Sequence, residues 1–254
     1  MASFVENTQH KVERKAFEIM TNSIVGKLTK TDDIAKRQET FLELIDKAET
    51  FWGNGADKAT LDKVREYVKN PENRWVKFVN RVLDETNPNY AKKFLLNLGY
   101  EAFFRGTKTI RANREKYNCN IPWLILFDPT DACNMHCVGC WSGTYGHKNN
   151  MSYEDMDKIV TQGKELGTYL YFMTGGEPTV RKKDILKLAE KHNDCMFGLF
   201  SNSTLIDDEL CQKIVELGNI TFLLSIEGTP ETNDSRRGNG HYEAVMKAMD
   251  LLKK

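Results

Sequence analysis

The sequence predicts an α/β protein, with a parallel sheet of about four βα units behind an all-helical N-terminal segment. Three observations predict it. To about Tyr117 the apolar residues recur at helical steps of three and four. After Asn120-Ile121-Pro122 short apolar runs alternate with amphipathic helices, the pattern of βα units. Each apolar run then ends in a polar or glycine-bearing loop, where parallel α/β proteins place their ligands.

In the helical segment, a stripe through Ile34, Gln38, Phe41, Leu42, Ile45, Ala48 and Glu49 follows Thr31-Asp32-Asp33, a fitting N-cap. Gly53-Asn54-Gly55 breaks that helix. Leu61, Val64, Tyr67 and Val68 mark a shorter one that stops at Asn70-Pro71, since the residue before proline is driven from the α region. Trp75, Phe78, Val79, Val82 and Leu83 mark the next, stopped at Asn87-Pro88. One last helix carries Tyr90, Phe94, Leu95, Leu98, Phe103 and Phe104. The aromatics read as helix-packing core. Residues 1–118 are therefore expected to form a bundle, or a cap over the α/β domain at 119–254.

The first strand is expected over Trp123–Phe127. Ser152-Tyr153-Glu154-Asp155 then opens a helix through Met156, Ile159, Val160 and Leu166 as a capping box. Tyr169–Met173 is the second strand, followed by a helix with Ile185, Leu186, Leu188 and Ala189. Cys195–Phe200 is the third, and Ile206-Asp207-Asp208 starts a helix through Leu210, Ile214 and Val215. Ile220–Ser225 is the fourth, and a final helix runs from Tyr242 to the end. A four-stranded parallel sheet ending there has an unprotected edge. The expectation is the front part of a longer polypeptide, or an edge covered by the helical segment or a partner.

Composition narrows the function. Of 254 residues 40% are hydrophobic and 28% charged, enough for a sizeable core. Lys+Arg 36 balances Asp+Glu 36, so no global basic field indicates a nucleic-acid or anionic-membrane partner. Arg181-Lys182-Lys183 and Arg236-Arg237 are local features. No apolar run of the ~18 residues needed for a membrane span appears, and the N-terminal residues lack the form of a signal peptide. A cytoplasmic location is expected. Three of the six cysteines are clustered, which in a reducing compartment points to metal. Cys119, Cys195 and Cys211 are scattered and read as small buried hydrophobes.

The cluster is Cys133-Asn-Met-His-Cys137-Val-Gly-Cys140, on the loop after the first strand. That spacing lets three thiolates take three corners of a cubane and leaves the fourth iron without a protein ligand. Ferredoxins supply four cysteines per cluster and use the iron for electron transfer. A site with an open position binds its substrate directly. On spacing alone, a zinc ion with His136 or His147 as fourth ligand is the rival. Gly175-Gly176-Glu177-Pro178 after the second strand counts against zinc, which gives no reason for it. By the same topology the cysteine loop, Gly175–Pro178, Asn202 and Glu227-Gly228 face one rim, with Trp141 and Tyr145 beside the cysteines.

At these residues the chain resembles the radical S-adenosylmethionine superfamily, over about residues 122–254. Cys133-x-x-x-Cys137-x-x-Cys140 matches its cluster motif, and Gly175-Gly176-Glu177-Pro178 resembles its motif for the methionine amino group. Ser225-Ile226-Glu227-Gly228 is similar to its fourth-strand motif near the ribose, and Arg236-Arg237-Gly238 to the basic element that follows. Gly139 departs from the pattern, because an aromatic residue often precedes the last cysteine. The resemblance implies a partial parallel (β/α) barrel, usually of six units, so that two would be missing here. It implies a [4Fe-4S] cluster on Cys133, Cys137 and Cys140. It also implies S-adenosylmethionine held by Gly175, Gly176, Glu177 and Pro178, with Asn202, Ser225 and Glu227 toward the sugar and Arg236 or Arg237 toward the methionine carboxylate. The activity implied is reductive cleavage to a 5′-deoxyadenosyl radical acting on an unknown substrate, fed by an external one-electron reductant of flavodoxin or ferredoxin type. The alternative is a non-catalytic iron–sulfur or zinc protein for electron transfer or partner assembly.

Overall fold

A computed structural model describes residues 4–52, 58–142 and 149–253. Gly53-Asn54-Gly55, Tyr145 and His147 lie outside the described residues. The chain forms two compact units, Met1–Lys92 and Lys93–Lys254.

The first unit holds α1 (Phe4–Thr29), α2 (Ile34–Trp52), α3 (Lys58–Lys69) and α4 (Arg74–Glu85). Asp33 caps α2 as expected, its Oδ1 accepting from the N–H of Ala35 at 3.0 Å and of Lys36 at 3.3 Å. The α4 helix departs from expectation. Trp75 and Phe78, read as core, are 59% and 57% exposed, and Val76 and Asn80 face inward instead. The cause is Arg37, buried at 2% exposure. A buried guanidinium must have its donors satisfied. It donates to the Leu28 carbonyl at 2.9 Å, to Asn80 Oδ1 at 3.2 Å and to Asp84 Oδ1 at 2.5 Å. Asn80 and Asp84 share the Val76 face of α4, so the helix turns its polar partners in and its aromatic stripe out.

The expected last helix is divided into α5 (Pro88–Phe94), within which the second unit begins at Lys93, a π-helical stretch (Leu95–Gly106) and α6 (Thr107–Tyr117). Tyr100 is core at 2% exposure, whereas Phe103 is 54% exposed. The buried Asn97 donates to the carbonyls of Asn193 at 2.8 Å and Cys195 at 3.0 Å, and Asn113 to Glu165 and Leu166 at 3.2 Å each. Side chains of this helical stretch thus terminate backbone groups at the base of the sheet.

The sheet comprises β1 (Leu124–Thr130), β2 (Leu170–Gly175), β3 (Met196–Ser201) and β4 (Ile220–Leu224), all parallel and in that order. The connecting helices are α7 (Tyr153–Leu166), α8 (Lys182–Lys191), after a 3₁₀ turn at Pro178–Arg181, and α9 (Asp208–Leu217). Two further helices, α10 (Pro230–Arg237) and α11 (His241–Leu252), follow β4. Strands added in sequence by crossovers of one hand bring their helices to one face, the construction of a barrel wall. Side-chain burial agrees. Tyr171, Met173, Phe197 and Leu199 are 0–3% exposed, while Leu126 and Phe200, of opposite parity, are 51% and 38% exposed. The four βα units are thus a partial (β/α) barrel preceded by helices.

Helix starts carry their own caps. Ser152 Oγ accepts from the Asp155 N–H at 3.1 Å, the first half of the expected box, and its hydroxyl donates to Asp155 Oδ2 at 2.6 Å. Asp207 accepts from the Leu210 N–H at 2.8 Å. The α10 helix was not anticipated. Cys195 is fully buried and Cys211 half-buried, but Cys119 is exposed, against expectation. Within the sheet, a Cβ at Gly198 would stand 2.6 Å from the Phe172 ring, which packs edge-on against Phe200 at 5.7 Å. Gly198→Ala is therefore expected to destabilise by about 1–3 kcal/mol through overpacking, read as a lower urea midpoint at unchanged slope.

Candidate functional site

The site is built on the carboxyl ends of the strands. β1 runs past the expected Phe127 to Thr130, with an irregular register between Phe127 and Thr130 where Pro129 has no N–H to give. An antiparallel strap closes this end. Asp131 N–H donates to the Asn149 carbonyl and Met151 N–H to the Pro129 carbonyl, both at 3.0 Å. Thr130 Oγ1 donates to Asn150 Oδ1 at 2.6 Å, and Asp131 accepts from the Asn149 N–H at 2.7 Å. The cysteine loop leaves and re-enters the fold through this strap.

The Gly-Gly-Glu-Pro turn lies against the start of that loop. Gly176 N–H donates to the Thr130 carbonyl at 2.9 Å and Glu177 N–H to the Ala132 carbonyl at 2.8 Å. Gly175 has φ +102°, and a Cβ on Gly176 would collide with the Ala132 carbonyl. Both glycines are therefore required by backbone geometry. Glu177 is 1% exposed, and its carboxylate turns into the fold. Oε1 accepts from the Thr179 N–H at 3.0 Å, Thr179 Oγ1 at 2.6 Å and Ser201 Oγ at 2.8 Å, and Oε2 from the Asn202 N–H at 2.6 Å. Four donors occupy the carboxylate that the sequence offered to an amine. The structure thus gives Glu177 a bracing position, and leaves the backbone of the turn at the rim. Thr179 and Ser201 were not singled out from the sequence, although Thr179 directly follows Pro178 and Ser201 directly precedes Asn202.

Asn202 links the braces to the cysteines. Its Nδ2 donates to Asn134 Oδ1 at 2.8 Å and lies 3.8 Å from Cys133 Sγ, while Oδ1 accepts from Thr204 N–H at 3.0 Å. Thr204 Oγ1 accepts from Asn134 Nδ2 at 2.7 Å. On the other side of the loop, Val138 N–H donates to the Arg236 carbonyl at 2.7 Å. Burial pushes the Cys133 thiol up. His136 and Trp141 are exposed.

Glu227, Arg236 and Arg237 form one clamp. Glu227 Oε1 accepts from Arg236 at 2.5 Å and from Arg237 Nη2 at 2.6 Å, and these cations, Arg237 foremost, hold the carboxyl below its usual range. Two cations on one anion leave a surplus positive charge, suited to a carboxylate ligand. Ser225 sits beside them, its N–H on the Ser201 carbonyl at 2.9 Å.

The donor set is three thiols on one loop, the set that a cluster with one unligated iron needs. All three thiols are half-buried and free, and Cys140 N–H donates to the Cys137 carbonyl at 3.2 Å in a tight turn. Tetrahedral zinc requires its sulfurs at about 2.3 Å from a common centre, whereas a cubane distributes thiolates over separate irons.

The profile of the Radical SAM superfamily matches residues 127–254, half of the chain, and the chain belongs to that family. Its members are enzymes that use a [4Fe-4S] cluster and S-adenosylmethionine. An uncharacterised protein of Archaeoglobus fulgidus is 30% identical over 60% of this chain and 38% of its own. The Fe-coproporphyrin III synthase of Methanosarcina barkeri is 27% identical over 57% and 37%. The mycofactocin maturase MftC of Mycolicibacterium smegmatis is 28% identical over 52% and 34%. The chain thus spans less than two fifths of the length of these relatives.

Glu177→Gln replaces one acceptor oxygen with an N–H₂ that must face a donor. It is expected to cost about 2 kcal/mol or more, seen as a lower thermal midpoint of the metal-free protein. A second expectation concerns pH. Burial lowers the ring pKa of His192 and His241 below the usual 6.5. The unfolded chain then binds more protons as pH falls through 6.5, so stability present above that pH is lost toward the lowered folded values. Urea titrations at pH 7 and pH 5 check this, with the lower midpoint at pH 5.

Proposed function

We propose that Cys133, Cys137 and Cys140 hold a [4Fe-4S] cluster, and that S-adenosylmethionine sits on the same rim along Gly175, Gly176, Glu177 and Pro178, Asn202, Ser225, Glu227, Arg236 and Arg237. The protein is then an S-adenosylmethionine-cleaving radical enzyme acting on an unknown substrate. One observation carries this reading. The cysteine loop is bonded at Ala132 to the glycine turn, at Asn134 to Asn202, and at Val138 to Arg236, so the motifs form one connected rim.

When bound, the pair supplies an electron from cluster to sulfonium and breaks a carbon–sulfur bond. The protein's part is placement. The three cysteines would hold the cluster and leave one iron without a protein ligand, where the amine and carboxylate of the cofactor would chelate. The turn at Gly175 and Gly176 offers unobstructed backbone at the methionine end. Asn202, Ser225 and Glu227 bear groups suited to sugar hydroxyls, and the surplus charge of Arg236 and Arg237 would receive the carboxylate. Glu177 acts from within, holding the turn against the end of β3. The functional division is residues 1–118 in front of 119–254. An external one-electron reductant of flavodoxin or ferredoxin type supplies the electron in the cytoplasm. No helix among the described residues is long and apolar enough to cross a membrane.

The test is electron paramagnetic resonance of anaerobically reconstituted, reduced protein with and without S-adenosylmethionine. A four-iron signal that shifts on adding the cofactor is expected, with 5′-deoxyadenosine as product. A signal indifferent to the cofactor, or zinc in place of iron, overturns the reading. Cys137→Ala is expected to abolish iron binding, while Cys195→Ala, in the helix-side core, retains it. Equal iron in both variants refutes the loop assignment.

A further inference from the structure

His241 opens α11, and in the sequence it is one more histidine near a glycine turn. In the structure it is 3% exposed and bonded through both ring nitrogens. Nε2 lies 2.9 Å from the carbonyl oxygen of Asn202, which can only accept, so Nε2 carries the proton. In the neutral ring Nδ1 is then an acceptor, and it lies 2.9 Å from Nδ2 of Asn233, which donates. That orientation of the Asn233 amide is required from its other end as well. Its Oδ1 accepts from the Glu227 N–H at 3.1 Å. Asn233 is 0% exposed, so each of these bonds is made away from water. Burial is the largest influence on the ring and favours its neutral form.

The bridge therefore runs from the Asn202 carbonyl through His241 and Asn233 to the Glu227 N–H. Each donor and acceptor is determined by its neighbour. One end is the loop after β3, whose Asn202 side chain contacts Asn134 and Cys133. The other is the loop after β4, whose Glu227 carboxylate clamps Arg236, the residue whose carbonyl takes the Val138 N–H. The two ends thus reach the cysteine loop on either side of Cys137.

We infer that His241 is a positioning residue: its neutral imidazole fixes the spacing between Asn202 and Glu227, and so sets the affinity for S-adenosylmethionine without touching it. This rests on the cofactor assignment proposed above. A rigid ring with a donor at one end and an acceptor at the other is what the two partners require. Phenylalanine has the shape and neither group, whereas glutamine offers an N–H and a carbonyl that can serve both partners.

The test uses the full chain, reconstituted anaerobically as wild type, His241→Phe and His241→Gln. Each is assayed for iron content and titrated with S-adenosylmethionine by the shift in the reduced-cluster spectrum. Equal iron in all three is expected, because the thiolates are untouched. His241→Phe is expected to bind the cofactor about tenfold more weakly or worse, the effect of about 1.4 kcal/mol from stranded buried partners. His241→Gln is expected within about threefold of wild type, by restoring both bonds. Wild-type affinity in His241→Phe overturns the inference, as does a glutamine variant as weak as phenylalanine. Should His241→Phe not fold, Asn233→Ser cuts the same bridge from its other end, and wild-type affinity there overturns it equally. A wild-type cluster that ignores the cofactor overturns the functional reading and this inference with it. A responsive wild type with an equally responsive His241→Phe overturns the bridge alone.

Discussion

A buried carboxylate that accepts four hydrogen bonds is the constraint on which the rim depends. Removing a charge from water costs several kcal/mol unless donors replace its hydration. Glu177 meets that demand with two donors from Thr179, one from Ser201 and one from Asn202. The first two come from the turn after β2 and the others from the end of β3, so a single anion determines where both loops lie. Asn202 then passes the constraint to Asn134 and Cys133. The cysteine loop has little regular structure of its own, and its placement derives from this interior charge.

Helix ends make the arrangement independent of ligands. Ser152, Asp207 and Thr229 cap α7, α9 and α10, and Gly167 and Gly218 close α7 and α9 in left-handed conformations. The loops before α7, α9 and α10 therefore lead into helices whose first turns are capped by their own sequence. Glu227 and its two arginines are likewise self-contained. A cofactor would meet groups already held in place, the preorganisation that binding and catalysis both require.

Much of this was legible in the sequence, for local reasons. The strands are runs such as Tyr169–Met173 whose apolarity needs no context, and the caps at Ser152 and Asp207 act within three residues. The Cys133, Cys137 and Cys140 spacing is a feature of one loop. What escaped depends on distant partners. Arg37 turns α4 over through residues 43 positions away, so a stripe of Trp75 and Phe78 that reads as core lies at the surface. His241 is buried by a carbonyl 39 positions earlier. The carboxylate of Glu177 turns inward because Ser201 and Asn202 lie beneath it, and no pattern in Gly175–Pro178 reveals that. The α10 helix, Pro230-Glu-Thr-Asn-Asp-Ser-Arg-Arg237, has no apolar period at all. Only the Thr229 cap and a proline at its first position mark it.

The strap between residues 129–131 and 149–151 has a consequence for how this fold can vary. Its bonds join residues 129–131 directly to 149–151, so the loop between them is closed at its root. Chain added there lengthens an already closed loop, and doubling such a loop costs only about 0.6 kcal/mol in closure entropy. The thiols, held on the near side by Asn202 and Arg236, would keep their places. Length can thus be added to this loop without a change at Cys133, Cys137 and Cys140, which makes it a natural place for one scaffold to acquire different specificities.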